Sequence, residues 1–298
     1  MKSGSILIFF LLLPLSLAAE SFIIEKADQL FAEDKYEEAH SFLIGNIDNL
    51  KGDLEKAKAY WRLSKSMVIL GIIITREKAS KDEILAVYQQ GIDFADKAIE
   101  LNKNCRDAFL WKASALGSWG QAKGPLDALK MAGKTRDNLG LAIEIDPEYD
   151  PAFSILAMVY GMVPGWPLSF GNVDYAVSFA RRAVDCFRED EKFSEYYLLL
   201  GRFLWKRNWK RNKRLSRLEK KSREFDRHDI ALEKFRFYEG KIDFNKPLPY
   251  GETHLADMSD RDEARAILDS VEKKVKDYPL EEKKSILEHV SQLRKKWK

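Results

Sequence analysis

Apolar residues recur at intervals of three and four over most of the chain, and strict alternation is nearly absent. That period places them on one face of successive α-helices and leaves little from which to build a sheet. The clearest stretch is residues 139–184. Leu139, Ala142 and Ile143 share the face of a helix that runs into Asp146-Pro147, where proline, with no N–H and a fixed φ, stops it. Asp150-Pro151 predicts the next helix, with aspartate as N-cap and proline at the first helical position. This helix carries Phe153, Leu156, Ala157 and Tyr160. A Pro/Gly-rich loop follows, and Asn172 is expected to cap a third helix whose apolar face is Val173, Ala176, Val177, Ala180, Ala183 and Val184. Alanines at this spacing let two helix backbones approach closely, and the aromatics fill the remaining gaps.

Aligning the rest of the chain on this pattern gives about five helical hairpins. The first holds Ile23, Ala27 and Leu30, then Tyr36, Glu37, Glu38, Ala39 and Leu43. The second holds Trp61, Ser64, Val68 and Leu70, an insertion over residues 78–82, then Val87, Gly91, Phe94 and Ala98. The third runs from Ala108 and Phe109 past Trp111, Ala115 and Trp119 to Pro147. The fourth is the stretch above. A fifth opens at Tyr196, Tyr197, Leu200, Gly201 and Leu204 and resumes at Ala231, Leu232 and Phe235. Two charged helices, around residues 262–276 and 280–297, are expected to cap the stack.

Tyr36-Glu37-Glu38-Ala39 and Ala142-Ile143-Glu144-Ile145-Asp146-Pro147, in register, resemble the tetratricopeptide (TPR) repeat, a helix-turn-helix unit of about 34 residues. A narrower resemblance lies in residues 108–186. Trp111-Lys112-Ala113, Gly117-Ser118-Trp119-Gly120, Glu148-Tyr149-Asp150, Val163-Pro164 and Gly171-Asn172 are similar to the T component associated with TRAP transporters, a bacterial envelope protein built from such repeats. The resemblance implies a non-catalytic subunit that assembles, as a homotrimer, with a solute-binding partner. The expected fold is an all-α TPR-like solenoid: a signal segment at 1–19, the repeat array at 20–258 and capping helices at 259–298.

Residues 1–19 stand apart from the array. Lys2 supplies a basic start, residues 6–17 form an apolar run, and Ser16-Leu17-Ala18 offers small residues for cleavage after Ala18 or Ala19. About a dozen apolar residues fall short of the ~18–20 that span a bilayer. The expectation is a cleaved secretory signal and a periplasmic protein, soluble or peripheral, with an uncleaved anchor as the competitor. No cysteine near the cleavage site supports a lipoprotein. The two cysteines, Cys105 and Cys186, fall at separate repeat junctions and are expected to remain free thiols.

A net charge of +3 is too small to imply a nucleic-acid partner. The exception is local. Residues 202–223, RFLWKRNWKRNKRLSRLEKKSR, hold one acid, Glu219, among many cations, with Trp205 and Trp209 interleaved. Lys206, Arg207, Lys210, Arg211, Lys213 and Arg214 are therefore candidate contacts to an anionic membrane surface or acidic protein face. The competing reading, which is preferred, is a solvated helical hairpin with its tryptophans packed inward.

Catalytic patterns fail one by one. Gly133-Lys134-Thr135 mimics the end of a phosphate loop, but the position five before Gly133, where the motif needs a glycine, is Ala128, and no strand precedes it. His40, His228, His254 and His289 are scattered, and no nucleophile elbow or cysteine–histidine pair is present. No enzyme activity and no cofactor are expected. The most distinctive segment is the loop over residues 163–172. It reads either as a turn whose Trp166 and Phe170 close over the apolar face, or as a rigid aromatic lip where a partner docks. Trp111, Trp119, Tyr160, Pro164, Trp166 and Phe170 are the candidate contacts. The function expected is an exported binding scaffold and transport accessory, with a binder of a small hydrophobic ligand or lipid as the alternative.

Overall fold

The computed structural model describes residues 12–187, 193–243 and 254–297. Lys2 and the first part of the expected signal lie outside them. Among the described residues the chain is all-α, thirteen helices with no strand. Two compact units divide it, residues 1–138 and 139–298.

In the first unit α1 (Leu12–Ala32) and α2 (Tyr36–Asn46) form a hairpin, followed by α3 (Asp53–Arg76) with α4 (Lys81–Leu101). α5 (Arg106–Lys123) packs on both α3 and α4. The predicted apolar face is the core: Ile23, Ala27, Leu30, Ala39 and Leu43 are buried together with Leu50, Ala59 and Leu63. Arg62 on α3 forks onto Asp28 of α1, with both Nε and Nη2 within 2.7 Å of carboxylate oxygens. The expected insertion at 78–82 is the α3–α4 turn. It ends in a reciprocal cap, in which Ser80 accepts from the Glu83 backbone and Glu83 accepts from that of Ser80. α6 (Pro125–Ile145) is separated from α5 by Gly124 alone and meets it where Gly120 faces Ala128 and Met131.

In the second unit α7 (Asp150–Met162) and α8 (Val173–Cys186) pair, α8 packs on α9 (Phe193–Arg207), and α9 packs on α12 (Asp260–Lys274). Leu139, Ala142, Ile143, Phe153, Leu156, Ala157, Val177, Ala180 and Ala183 are all completely buried, as their spacing predicts. Tyr160 and Phe153 stack on Phe179 across the hairpin. A methyl group on Gly161 would sit 2.0 Å from the Phe203 ring, so only glycine lets α9 approach α7 this closely.

Two local expectations are corrected. Asn172 caps α8 as predicted, accepting from the backbone of Asp174 and Tyr175, but Asp150 makes no cap. Its carboxylate accepts instead from the Tyr196 hydroxyl at 2.6 Å, a tertiary contact that outcompetes the local one. The fifth hairpin also closes differently. Residues 231–235 form only the short α11 (Ala231–Phe235), and the helix packed on α9 is α12, with residues 208–259 intervening. That insert holds α10 (Arg211–Arg227), α11 and a tight turn over Tyr238–Lys241. α13 (Leu280–Lys296) follows α12, and Trp297 beyond it stacks on Trp205 at 4.9 Å between ring centres.

Candidate interaction surfaces

The loop after α7 is held by its own backbone. Gly171 N–H donates to Pro164 O at 2.9 Å, Asn172 N–H to Tyr160 O at 2.8 Å, and Leu168 N–H to Gly165 O. These bonds close the loop into a small knot whose two sides touch at Gly171. A Cβ there would lie 1.8 Å from Val163 O. The knot separates the two aromatics that the sequence placed together. Phe170 turns inward and meets Tyr160 edge-on at 5.2 Å. Trp166 turns outward and is 90% exposed, beside Leu168 at 74%. Phe170 thus takes the structural role and Trp166 the presented one.

The lip continues an apolar line on α7. Met158 and Met162, one turn apart, are exposed, Met162 to 68%, with Ile155 and Val159 half-buried beside them. Tyr160, a candidate contact by sequence, lies on the other side of the helix. It is 2% exposed, and its hydroxyl accepts from Arg236 at 2.8 Å, so it belongs to the core. Pro164 is exposed and contributes its carbonyl to the knot. Lys206 reaches across from α9 and donates to Gly161 O at 2.6 Å, a cation on the negative end of α7.

The basic segment is split by the fold. Lys206, Lys210, Arg211 and Lys213 are exposed, and Arg211 donates to Ala256 O. Arg207 and Arg214 are buried, Arg214 to 1% exposure, and so are withdrawn from any surface contact. Trp205 lies against Trp297, and Trp209 is half-buried with the Arg207 guanidinium 4.3 Å from its ring centre, so both tryptophans pack inward as the solvated-helix reading expects.

Sequence reasoning missed what Arg207 and Arg214 join. Arg181 of α8, Arg207 of α9, and Arg214 and Lys221 of α10 meet Asp174 of α8, Glu239 of the 238–241 turn, and Asp260 and Glu263 of α12. Arg181 forks onto Glu263 at 2.7 Å, and Arg207 bridges Asp260 and Glu239 at 2.6–2.9 Å. Lys221 donates to Glu239 at 2.8 Å, and Arg214 pairs with Glu263. Among the described residues these are four cations facing four carboxylates. Burial alone would raise Glu239, but Arg207, Lys221 and Arg181 outweigh it and hold the carboxyl well below the ordinary glutamate range. The cluster clamps α10 and the 238–241 turn onto α8, α9 and α12.

In the first unit Trp111 and Trp119 are half-buried on one stripe of α5, against Val68, Ile92, Ala115 and Leu116. Lys123 lies 4.5 Å over the Trp119 ring. Gly133-Lys134-Thr135 lies inside α6, with Thr135 buried, so these residues do not form the turn that a phosphate loop needs. His40 pairs with Ser66 at 3.0 Å, and His228 stacks on Phe237. Cys105 and Cys186 are free thiols, as expected; burial pushes the Cys186 thiol up to about 11.

Consecutive antiparallel hairpins with alanine-rich seams define a TPR-like helical repeat protein. The profile of the family described as regulator of microtubule dynamics protein 1-3 (RMD1-3) is similar to residues 23–159, just under half the chain. No curated protein sequence matches. Among solved structures, the chain is similar to TTC0263, a thermophilic TPR protein in Thermus thermophilus, at 14% identity and a TM-score of 0.48, covering 74% of this chain and 98% of that one. It is also similar to the MamA RS-1 ArsTM double mutant, at 17% identity and a TM-score of 0.40, covering 74% of this chain and 94% of that one.

Proposed function

We propose that the protein is a non-catalytic, exported scaffold that holds a protein partner on the α7 stripe and its lip, as an accessory subunit of an envelope solute-transport system. The observation that carries the docking site is Trp166. A large aromatic ring held outward by a hydrogen-bonded knot, with Leu168, Met158 and Met162 beside it, is costly to leave in water. It has the makeup of an interface anchor: an aromatic on a pre-ordered loop, next to adaptable methionines. The export reading draws on the pattern of residues 1–19, and the transport reading and a trimeric assembly draw on the resemblance carried by residues 108–186.

Affinity capture of the mature protein from its native envelope, with a Trp166→Ala variant alongside, tests this reading. Recovery of a solute-binding protein, reduced at least tenfold by the substitution, is the expected result, since truncating such an anchor costs about 2 kcal/mol or more. A lipid or metabolite that co-purifies with no protein partner would instead favour the hydrophobic-ligand alternative.

A second reading comes from the name of the family similar to residues 23–159, which places its members in the regulation of microtubule dynamics. Under it the partner is a microtubule. Co-sedimentation of the purified chain with polymerised tubulin checks it, and a chain left wholly in the supernatant rejects it.

A further inference from the structure

The cations of α10 divide into two sets. Arg214 and Lys221 point into the buried cluster and are neutralised there. Lys213, Arg217 and Lys220 are exposed at i, i+4 and i+7, which keeps them within about 60° of arc on one side of the helix. Lys210, also exposed, precedes them at the N-cap position. From Lys210 to Lys220 the line is about 15 Å long. Among the described residues none of the four donates to a carboxylate, while the neighbouring Arg223 and Arg227 are each paired, with Glu219 and Glu224. No acid occurs anywhere between Arg202 and Leu218.

Like charges three and four apart on a helix repel and weaken it, by a few tenths of a kcal/mol per pair in isolated helices, as much as opposite pairs gain. Lys213 lies 5.0 Å over the Trp209 ring, but none of the four side chains forms an ion pair in the clamp beneath. Their edge of α10 therefore carries positive charge that no carboxylate neutralises, and only Lys213 among the four packs on a ring, that of Trp209.

We propose that this edge rests on an anionic phospholipid surface. A planar field of negative headgroups meets all four cations at once, and lysine and arginine stems are long enough to reach it while the helix stays docked on the protein. A protein partner fits less well. Interface cores are depleted of lysine and rely on apolar anchors, and the exposed residue next to this edge, Ser216, is polar. The contact is peripheral and electrostatic, since the edge has no apolar side chain to insert. It is independent of the Trp166 surface.

The test is flotation of the mature chain, without the apolar residues 1–19, with phosphatidylcholine vesicles that contain phosphatidylglycerol, against phosphatidylcholine alone. The expected result is binding to the anionic vesicles only, weakened by added salt. Replacing Lys210, Lys213, Arg217 and Lys220 together by glutamine should weaken it several-hundredfold, from about fivefold per cation. Thermal melting of the same variant should be nearly unchanged, because the relieved repulsion offsets the lost contact of Lys213 with Trp209. Replacing the paired Arg223 and Arg227 by glutamine should matter far less. Equal binding to both vesicle types, binding to neither, or retention by the fourfold variant overturns the proposal. So does tighter binding, at the same salt, to polyglutamate or duplex DNA than to the anionic vesicles.

Discussion

Glu239 has three cationic partners, Arg181, Arg207 and Lys221, within 3.0 Å, and no exposure to water that could replace them. Glu239→Gln keeps the shape and removes the charge, leaving cations in the cluster undercompensated. Removing one partner of a buried ion pair typically costs about 3–5 kcal/mol, so urea unfolding should show a loss of that size, with hydrogen exchange rising in α8, α9, α10 and α12. The pH dependence follows from the same residue. Its folded-state carboxyl titrates well below the ordinary value near 4.5, so below that value the unfolded chain binds a proton the folded chain refuses. The stabilisation is complete above the ordinary value and is lost as pH falls through it towards the depressed one. The Gln variant should show a shallower loss of stability over that acid range than the parent. None of this was readable from charge spacing, because the paired groups lie up to 82 residues apart and nothing local distinguishes Arg207 or Arg214 from their solvated neighbours. The thiols were easier, since separation along repeat junctions argues against pairing. Both should alkylate without reductant once unfolded, and Cys186, raised to about 11 by burial, should label slowly in the native protein near neutral pH. Protection that persists after unfolding until a reductant is added would contradict free thiols.

At the scale of elements, the helix faces were legible because period and burial coincide. Leu139, Ala142 and Ile143, or Ala176, Val177 and Ala180, are buried where a 3.6-residue repeat places them. The Pro/Gly-rich loop was legible as a loop, but the opposite orientations of Trp166 and Phe170 depend on hydrogen bonds between residues 160–165 and 168–172, which composition does not reveal. The knot predicts a sharp steric dependence. Gly171→Ala drives a methyl group into Val163 O and should cost about 1–3 kcal/mol, with the rearrangement visible as a change in Trp166 fluorescence once the other tryptophans are accounted for. Unchanged stability and spectrum would mean that the loop is not closed in this way. The fifth hairpin was misread for a different reason. Residues 231–235 have the right apolar spacing, but α11 ends after one turn and a half, and α12 supplies the long partner that α9 needs. A repeat interrupted by an insert of this length keeps its packing and loses its sequence period.

For the whole molecule, the hairpin-repeat architecture, the outward Trp166 and the unspent cations of α10 all describe a protein that works by contact. Contact between the lip and a protein partner is the proposal on which the rest depends. The most direct measurement places a photoreactive benzoyl-phenylalanine at Leu168, leaving Trp166 intact, in cells that carry the native envelope, with the same residue at exposed Lys103 as the control. The expected result is one discrete adduct from position 168, identified as a solute-binding or transporter component, absent from position 103 and lost when Trp166→Ala is added. No protein adduct at 168, or the same adducts from both positions, would contradict it.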